Sequence, residues 1–412
     1  MLGDTVEITY AYDADGRLAA VTADGAAAVS WTYDPNGNRV TETTPSETVA
    51  ASYDGQDRLV AFGETSYAFG RAGQLASKSG PEGTTSYDYD ALGNLRPVAL
   101  ADGTAISYEV DGAGRRVGRR VDGVLQRAWL YQDALEPVAE LDASGAVVSV
   151  FVYGNRTHVP DAMVRGGTTY RILSDHLGSV RMVVNAATGA VEQRLDYDAW
   201  GRVLTDTNPG FQPFGFAGGL YDPETGLVRF GARDYDATTG RWTARDPILF
   251  QGRQSNLFAY AGNDPVNRVD LTGLEELPEC IAGYLDQKFN TISVTEVDFH
   301  EGIPWWANPW TDPKTVGFIL GDNVYLKEGE YDPTTRDGVA TIYHELLHVE
   351  QYQKVGKIEF LKEYLRQRRE ANREGKDPDT AISIEKDAYK AEKEFRDHMN
   401  STFGTEGPCG YK

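Results

Sequence analysis

The chain has 412 residues, a formal net charge of −22 and two cysteines. The negative charge is spread along it, 35 acids against 23 bases over residues 1–274 (−12) and 27 against 17 over 275–412 (−10), so no concentrated basic surface remains for nucleic acid. No apolar run of ~18 residues is present to span a membrane, and Met1-Leu2-Gly3-Asp4-Thr5-Val6-Glu7 lacks the charge and apolar centre of a signal peptide.

From the N-terminus, Tyr-Asp-x-x-Gly recurs at Tyr12-Asp13 with Gly16, Tyr33-Asp34 with Gly37, and Tyr89-Asp90 with Gly93, and in degenerate form from Asp111 to Gly114. Tyr53-Asp54 with Asp57, and Tyr67 with Gly70 and Gly73, are looser copies in the gap. A fixed period near twenty residues, with alternating apolar residues and turn signals such as Pro35-Asn36-Gly37, predicts stacked β-hairpins or a solenoid. On that reading the repeated Tyr and Asp residues are scaffold, as are His158 and His176.

A denser run follows: Asp175-His176-Leu177-Gly178-Ser179, Tyr197-Asp198-Ala199-Trp200-Gly201-Arg202, Arg233-Asp234-Tyr235-Asp236, Gly240-Arg241-Trp242, Asp246-Pro247 and Asp270-Leu271-Thr272-Gly273-Leu274. With the repeats before it, this region resembles the RHS/YD-repeat proteins, whose repeats wind into a β-cocoon around a C-terminal toxin. The resemblance implies self-cleavage after a DPxGL motif by two aspartates. Carried over residue by residue, they are Asp246 and Asp270, with Arg245 beside the first and the cut between Leu274 and Glu275. Leu249 stands where the first motif has glycine and Leu271 where the second has proline. The few repeats, and a start inside one of them, imply a fragment of a larger shell that does not enclose its toxin.

Composition marks the same junction independently. Lys78 is the one lysine before residue 275, whereas eleven of the 17 basic residues from there onward are lysine. Two modules have been joined, each large enough for its own core. Cys280 and Cys409 lie near the two ends of the second, either bridged or as two free thiols. Trp305, Trp306 and Trp310 read as core packing in preference to a substrate pocket, and Arg366, Arg368, Arg369 and Arg373 as a solvated helix face.

In this second module Phe318-Ile319-Leu320 and Val324-Tyr325-Leu326 flank Gly321-Asp322-Asn323 and predict a hairpin, either structural or able to hold an extended peptide. A helix is predicted from Asp332-Pro333 to a stop at Gly356. It carries His344-Glu345-Leu346-Leu347-His348, an HExxH pattern that sets two imidazoles on one side to share zinc, with Glu345 as general base. A further helix over Ala381–Met399 offers the third ligand, Glu385, with Glu392 two turns along as the alternative. Glu385-Lys386-Asp387-Ala388 resembles the ExxA stretch that supplies the glutamate ligand of gluzincin peptidases. The run from Gly321 to Glu392 is similar to zincin-like domains found with bacterial contractile injection systems. Tyr389, Tyr343, His300 and His398 are the candidates for the oxyanion partner.

The expectation is a multidomain chain: YD/RHS repeats over 1–160, an RHS-core region with the self-cleavage motif over 161–274, and a small α+β zincin-like domain over 275–412. Its function is a β scaffold that carries and releases a zinc-dependent endopeptidase effector. Its partners are a protein substrate in a target cell, an immunity protein and a secretion apparatus. The alternative is a delivery module with an inactive zincin as cargo.

Overall fold

The computed structural model describes residues 7–154, 158–249, 255–274, 279–289, 291–292, 294, 297–301, 317–320, 323–327, 336–373 and 383–403. The chain divides into two compact units, one of Met1–Phe250 with Gln254–Glu276 and the other of Gln251–Arg253 with Leu277–Lys412. Among the described residues, no helix is long and apolar enough to cross a membrane.

The first unit is built on a 20-stranded sheet, from β1 (Ile8–Tyr12) to β20 (Val203–Asp206), in which each strand pairs antiparallel with the next. The meander continues through residue 160, where β15 (Val147–Val152) pairs with β16 (Ala162–Arg165). The repeated residues explain the period. In the Asp13 turn the carboxylate Oδ1 accepts the N–H groups of Asp15 at 2.9 Å and Arg17 at 3.0 Å, and Gly16 takes φ +77°. The same turn recurs at Asp34, Asp90 and Asp111, with Gly37, Gly93 and Gly114 at positive φ. The tyrosine then ties each hairpin to the one before. The hydroxyls of Tyr33, Tyr53 and Tyr131 donate to the carbonyls of Leu18, Arg39 and Arg116, 15, 14 and 15 residues upstream, at 2.6–3.0 Å.

The looser copies keep the geometry by other means. Asp57 takes the glycine's left-handed conformation at φ +58°, and its carboxylate accepts from Asn36 and Asn38 Nδ2 at 2.9 and 2.8 Å. At Tyr67 no aspartate follows, and the turn rests on backbone bonds from Gly70 to Gln74 and from Gly73 to Gly70.

The first motifs of the denser run, at Asp175 and Asp198, still close turns of the 20-stranded sheet, and residues 220–242 form a four-stranded sheet, β21 (Leu220–Asp222), β22 (Leu227–Phe230), β23 (Arg233–Asp236) and β24 (Arg241–Trp242). Phe216, Phe230, Tyr235, Trp242 and Tyr260 are buried together around it. Its arginines and asparagines bind the repeats: Arg241 donates to Asn38 Oδ1 at 2.9 Å, Asn263 to the Gly37 carbonyl at 2.9 Å, and Arg116 of the repeats to Asp234 at 2.8 Å. His158 and His176 are held by the carbonyls of Leu177 and Val266, as scaffold residues are.

Among the described residues, the second unit has three strands and four helices. Strand β25 (Asp298–Glu301) runs parallel to β27 (Asn323–Leu326), which pairs antiparallel with β26 (Gly317–Leu320), so the expected hairpin gains a third strand. The helices are α1 (Glu279–Asp286), α2 (Arg336–Val355), α3 (Lys357–Arg373) and α4 (Ser383–Phe403). Val339, Ile342, Leu346 and Val349 of α2 share a core with Ile281, Leu285, Phe299, Val324, Phe395 and Met399. Helix α2 ends at Gly356, whose φ of +86° suits a helix C-terminus. Asp332-Pro333, Trp305, Trp306, Trp310, Cys409 and the side chain of Cys280 lie outside the described residues.

Candidate metal centre and aspartate pair

The 3.6-residue helical period sets Val339, Ile342, Leu346 and Val349 of α2 into the core and leaves His344 and His348 together on another side. Helix α4 packs against α2 through Ala388, Phe395 and Met399, with Phe395 stacked on Tyr343 at a centroid distance of 4.0 Å. That packing delivers Glu385. One ligand atom from each of His344, His348 and Glu385 lies within 4.8 Å of the others. The two Nε2 atoms are 3.2 Å apart, and Glu385 Oε2 is 3.2 Å from His348 Nε2 and 3.5 Å from His344 Nε2.

The outer ring nitrogens decide what those inner ones are. His344 Nδ1 faces Glu392 Oε2 at 3.0 Å, and His348 Nδ1 faces Gln351 Oε1 at 2.9 Å. Both partners are acceptors, so each Nδ1 carries the proton and, in a neutral ring, each Nε2 presents a lone pair. In the neutral rings two imidazole lone pairs and a carboxylate then converge on one point, where a bound cation lowers the energy. The donor set of two His nitrogens and one carboxylate oxygen fits zinc with a position left for substrate or water. Proton affinities report the same field. Burial opposes charge on His344, but the hydrogen bonds to Glu385 and Glu392 outweigh it and hold the pKa at about 10. Burial likewise works against Glu385, and the two histidines draw it down to about 2.

Glu345 is buried beside the histidines, and burial raises its pKa against their pull. It packs on the backbone of β26 so closely that a Cβ at Gly317 would strike its carboxyl group. Glu392, expected as the alternative ligand, stands behind His344, and Arg396 Nε and Nη2 hold it at 2.9 and 2.8 Å. Neither Gly317 nor Arg396 was singled out from sequence. Of the four oxyanion candidates, Tyr389 lies against a ligand, its ring 4.5 Å from that of His344. Tyr343 is in the core, His398 is exposed, and the side chain of His300 lies outside the described residues.

In the first unit Asp246 and Asp270 are both buried, and the two carboxylates meet on one guanidinium. Arg233 Nη2 donates to Asp246 at 2.8 Å and to Asp270 at 3.0 Å. Burial raises Asp246 to about 6 despite Arg233, with Asp270 adding to the rise. Asp270 Oδ1 accepts the Leu274 N–H at 3.1 Å, so the expected cleavage point begins at this pair, while Glu275 lies outside the described residues. Leu249 takes φ +59°, the left-handed conformation that the glycine it replaces would adopt without strain. Leu271, in place of proline, packs against the aromatic cluster. Arg245 is exposed and lies on the Gly73 turn, its backbone N–H donating to the Gly73 carbonyl at 3.1 Å.

The teneurin YD-shell family matches residues 2–266, and the eCIS core domain matches residues 276–356, a span that includes both histidines and stops short of Glu385. Teneurin-4 of Mus musculus is 28% identical over 342 residues, 80% of this chain and 12% of its own length. The tRNA3(Ser)-specific nuclease WapA of Bacillus spizizenii is 29% identical over 269 residues, 62% of this chain and 11% of its own. The chain therefore spans a small part of the length of these relatives. Among solved structures, the Photorhabdus luminescens Tc holotoxin pore aligns with a TM-score of 0.36 and 15% identity, over 66% of this chain and 18% of that one.

Proposed function

The chain belongs to the teneurin YD-shell family, and on that premise we propose that its β scaffold carries a zinc-dependent endopeptidase in residues 275–412 and releases it by cleavage after Leu274. The observation that carries the peptidase reading is the convergence of His344, His348 and Glu385, with Glu345 buried beside them. Zinc, when bound, would polarise a scissile carbonyl and lower the pKa of water toward ~7. Glu345 takes the proton from the attacking water at its carboxylate and passes it to the departing amine. Glu392 and Gln351 keep the proton on each Nδ1, so the Nε2 atoms would be the ones to hold zinc. Strand β26 is an edge strand among the described residues, and its Gly317 end touches Glu345, which favours an extended peptide added by backbone pairing. Tyr389 is the residue to test as donor to the carbonyl oxygen.

For release, Asp246 is the proton-holding member of the pair. One carboxylate takes a proton from water as it adds to the Leu274 carbonyl, and the protonated one supplies a proton to the departing nitrogen. The partners that follow from this reading are a protein substrate in a target cell, an immunity protein and a secretion apparatus.

The deciding experiment uses the purified full chain. Bound zinc is measured by mass spectrometry and hydrolysis with an unfolded casein substrate. Glu345→Gln is expected to keep zinc and fold and to lower turnover by ~10²–10⁴-fold. Zinc bound without hydrolysis in the unmutated protein would favour an inactive cargo instead.

A further inference from the structure

We propose that a cavity in the first unit binds a small neutral cyclic amide, held between the indole N–H of Trp129 and the side-chain carbonyl of Gln193. The site shares no residue with the metal centre or the aspartate pair.

The cavity measures about 250 Å³, far above the ~10–15 Å³ that one water needs and just below the ~300–1,000 Å³ of pockets for drug-sized ligands. Its occupant is therefore small. Strands β11 (Ala105–Val110), β12 (Arg116–Val121) and β13 (Val124–Tyr131) supply Tyr108, Arg119 and Trp129 to the wall, β19 (Val191–Tyr197) supplies Gln193, and the segment after β20 supplies Pro213 and Phe214.

The arginines of this wall are already engaged. Arg119 holds Asp222 at 2.7 Å and Glu224 at 2.6 Å, and Arg127 holds Glu140 at 3.1 Å and donates to the Gly210 carbonyl at 2.7 Å. An ion entering here would have to break one of these pairs, so the site selects a neutral molecule.

Two other polar atoms are open. Trp129 Nε1 and Gln193 Oε1 have no hydrogen-bond partner among the described residues, although the two residues are 5% and 1% exposed. The Gln193 amide has one orientation, because its Nε2 donates to Asp206 Oδ1 at 2.9 Å and its oxygen then faces the other way. One unmet donor and one unmet acceptor are the needs that a single amide group answers with its C=O and its N–H. A flat amide ring also offers apolar faces to Pro213, Phe214 and Tyr221, whereas a polyol brings more hydroxyls than the wall has open partners.

The test titrates the purified full chain with small probes, followed by ligand-observed NMR. Uracil and glycine anhydride offer the amide from a nucleobase and from a cyclic dipeptide. The N-methylated form of each keeps the carbonyls without the N–H, and benzoate and myo-inositol are the anion and the polyol. The expected result is saturable binding of uracil, glycine anhydride or both below ~10 mM, the tighter of the two naming the source. The N-methylated form should bind ~10-fold more weakly than its parent, and Trp129→Phe, which keeps a ring and removes the donor, should weaken the parent by a similar factor. Failure of both amides to bind, equal binding of benzoate or myo-inositol, or an unchanged affinity in Trp129→Phe would overturn the proposal. If Trp129→Phe does not fold, the N-methylated probes decide on the unmutated chain: affinities equal to the parents' overturn the proposal, and a ~10-fold loss upholds it.

Discussion

Both units bury charge, and they treat it in opposite ways. In the YD-repeat unit each of these buried acids is matched by arginine: Asp234 lies between Arg116 and Arg229 at 2.8 and 3.0 Å, and Arg119 meets Asp222 at 2.7 Å. In the C-terminal unit the ligand atoms of His344, His348 and Glu385 converge on one spot with no arginine or lysine among them. A paired charge cements a scaffold, because breaking it strands the partner. A convergent set of lone pairs is a demand for a cation, so it belongs to a site. The aspartate pair lies between these cases, two acids with one arginine, and that imbalance sets Asp246 apart from its neighbours.

The comparison is broken most forcefully at Asp234. Asp234→Asn leaves Arg116 and Arg229 without their shared carboxylate in a fully buried place, and is expected to lower the unfolding free energy of the repeat unit by ~3–5 kcal/mol. Denaturant unfolding followed by tryptophan fluorescence measures this. Zinc content in the C-terminal unit should stay constant. A loss below 1 kcal/mol would mean that the buried pairs do not act as cement.

A smaller effect is expected at Glu392. Glu392→Gln leaves a group that can donate as well as accept behind His344 Nδ1, so the tautomer is held less firmly. Zinc affinity should fall ~10–100-fold, measured by competition with a chromophoric chelator, with the unfolding of the repeat unit unchanged. An unaltered affinity would show that Glu392 serves Arg396 alone.

Legibility followed the range of the interactions. The YD turns could be read because Asp, Gly and the bonded N–H groups lie within four residues, and the hydroxyl of Tyr33 or Tyr131 reaches back 15 residues to the preceding hairpin. His344, Glu345 and His348 could be read because a helix alone brings i and i+4 together. Glu385 needed one further assumption, that a second helix returns to the first. Glu392 was singled out, but its place behind His344 depends on how α2 and α4 pack, and Gly317 depends on a strand backbone that no residue type announces. Arg233 was the least visible, since the acids and the carbonyl it joins lie up to 40 residues away and lysine content marks only the junction beyond them.

The smallest effect is expected at Leu249, where the family's glycine is replaced. A leucine in the left-handed region costs ~1–2 kcal/mol relative to its preferred backbone, because Cβ crowds the following carbonyl. Leu249 is 41% exposed, so truncating it gives up little buried surface. Leu249→Gly removes the strain but adds disorder to the unfolded chain worth ~0.5–1 kcal/mol, so the net gain is expected to stay below ~1 kcal/mol. The urea midpoint of the repeat unit should rise slightly at constant m-value. The Leu249 N–H donates to the Asp246 carbonyl at 3.1 Å, so relaxing this turn acts directly on the acid assigned the proton in the proposed release step. Faster appearance of the fragment starting at Glu275 would show that this leucine slows release. An unchanged rate with a raised midpoint would confine its cost to folding, and a lowered midpoint would mean that the leucine side chain contributes packing that outweighs its strain.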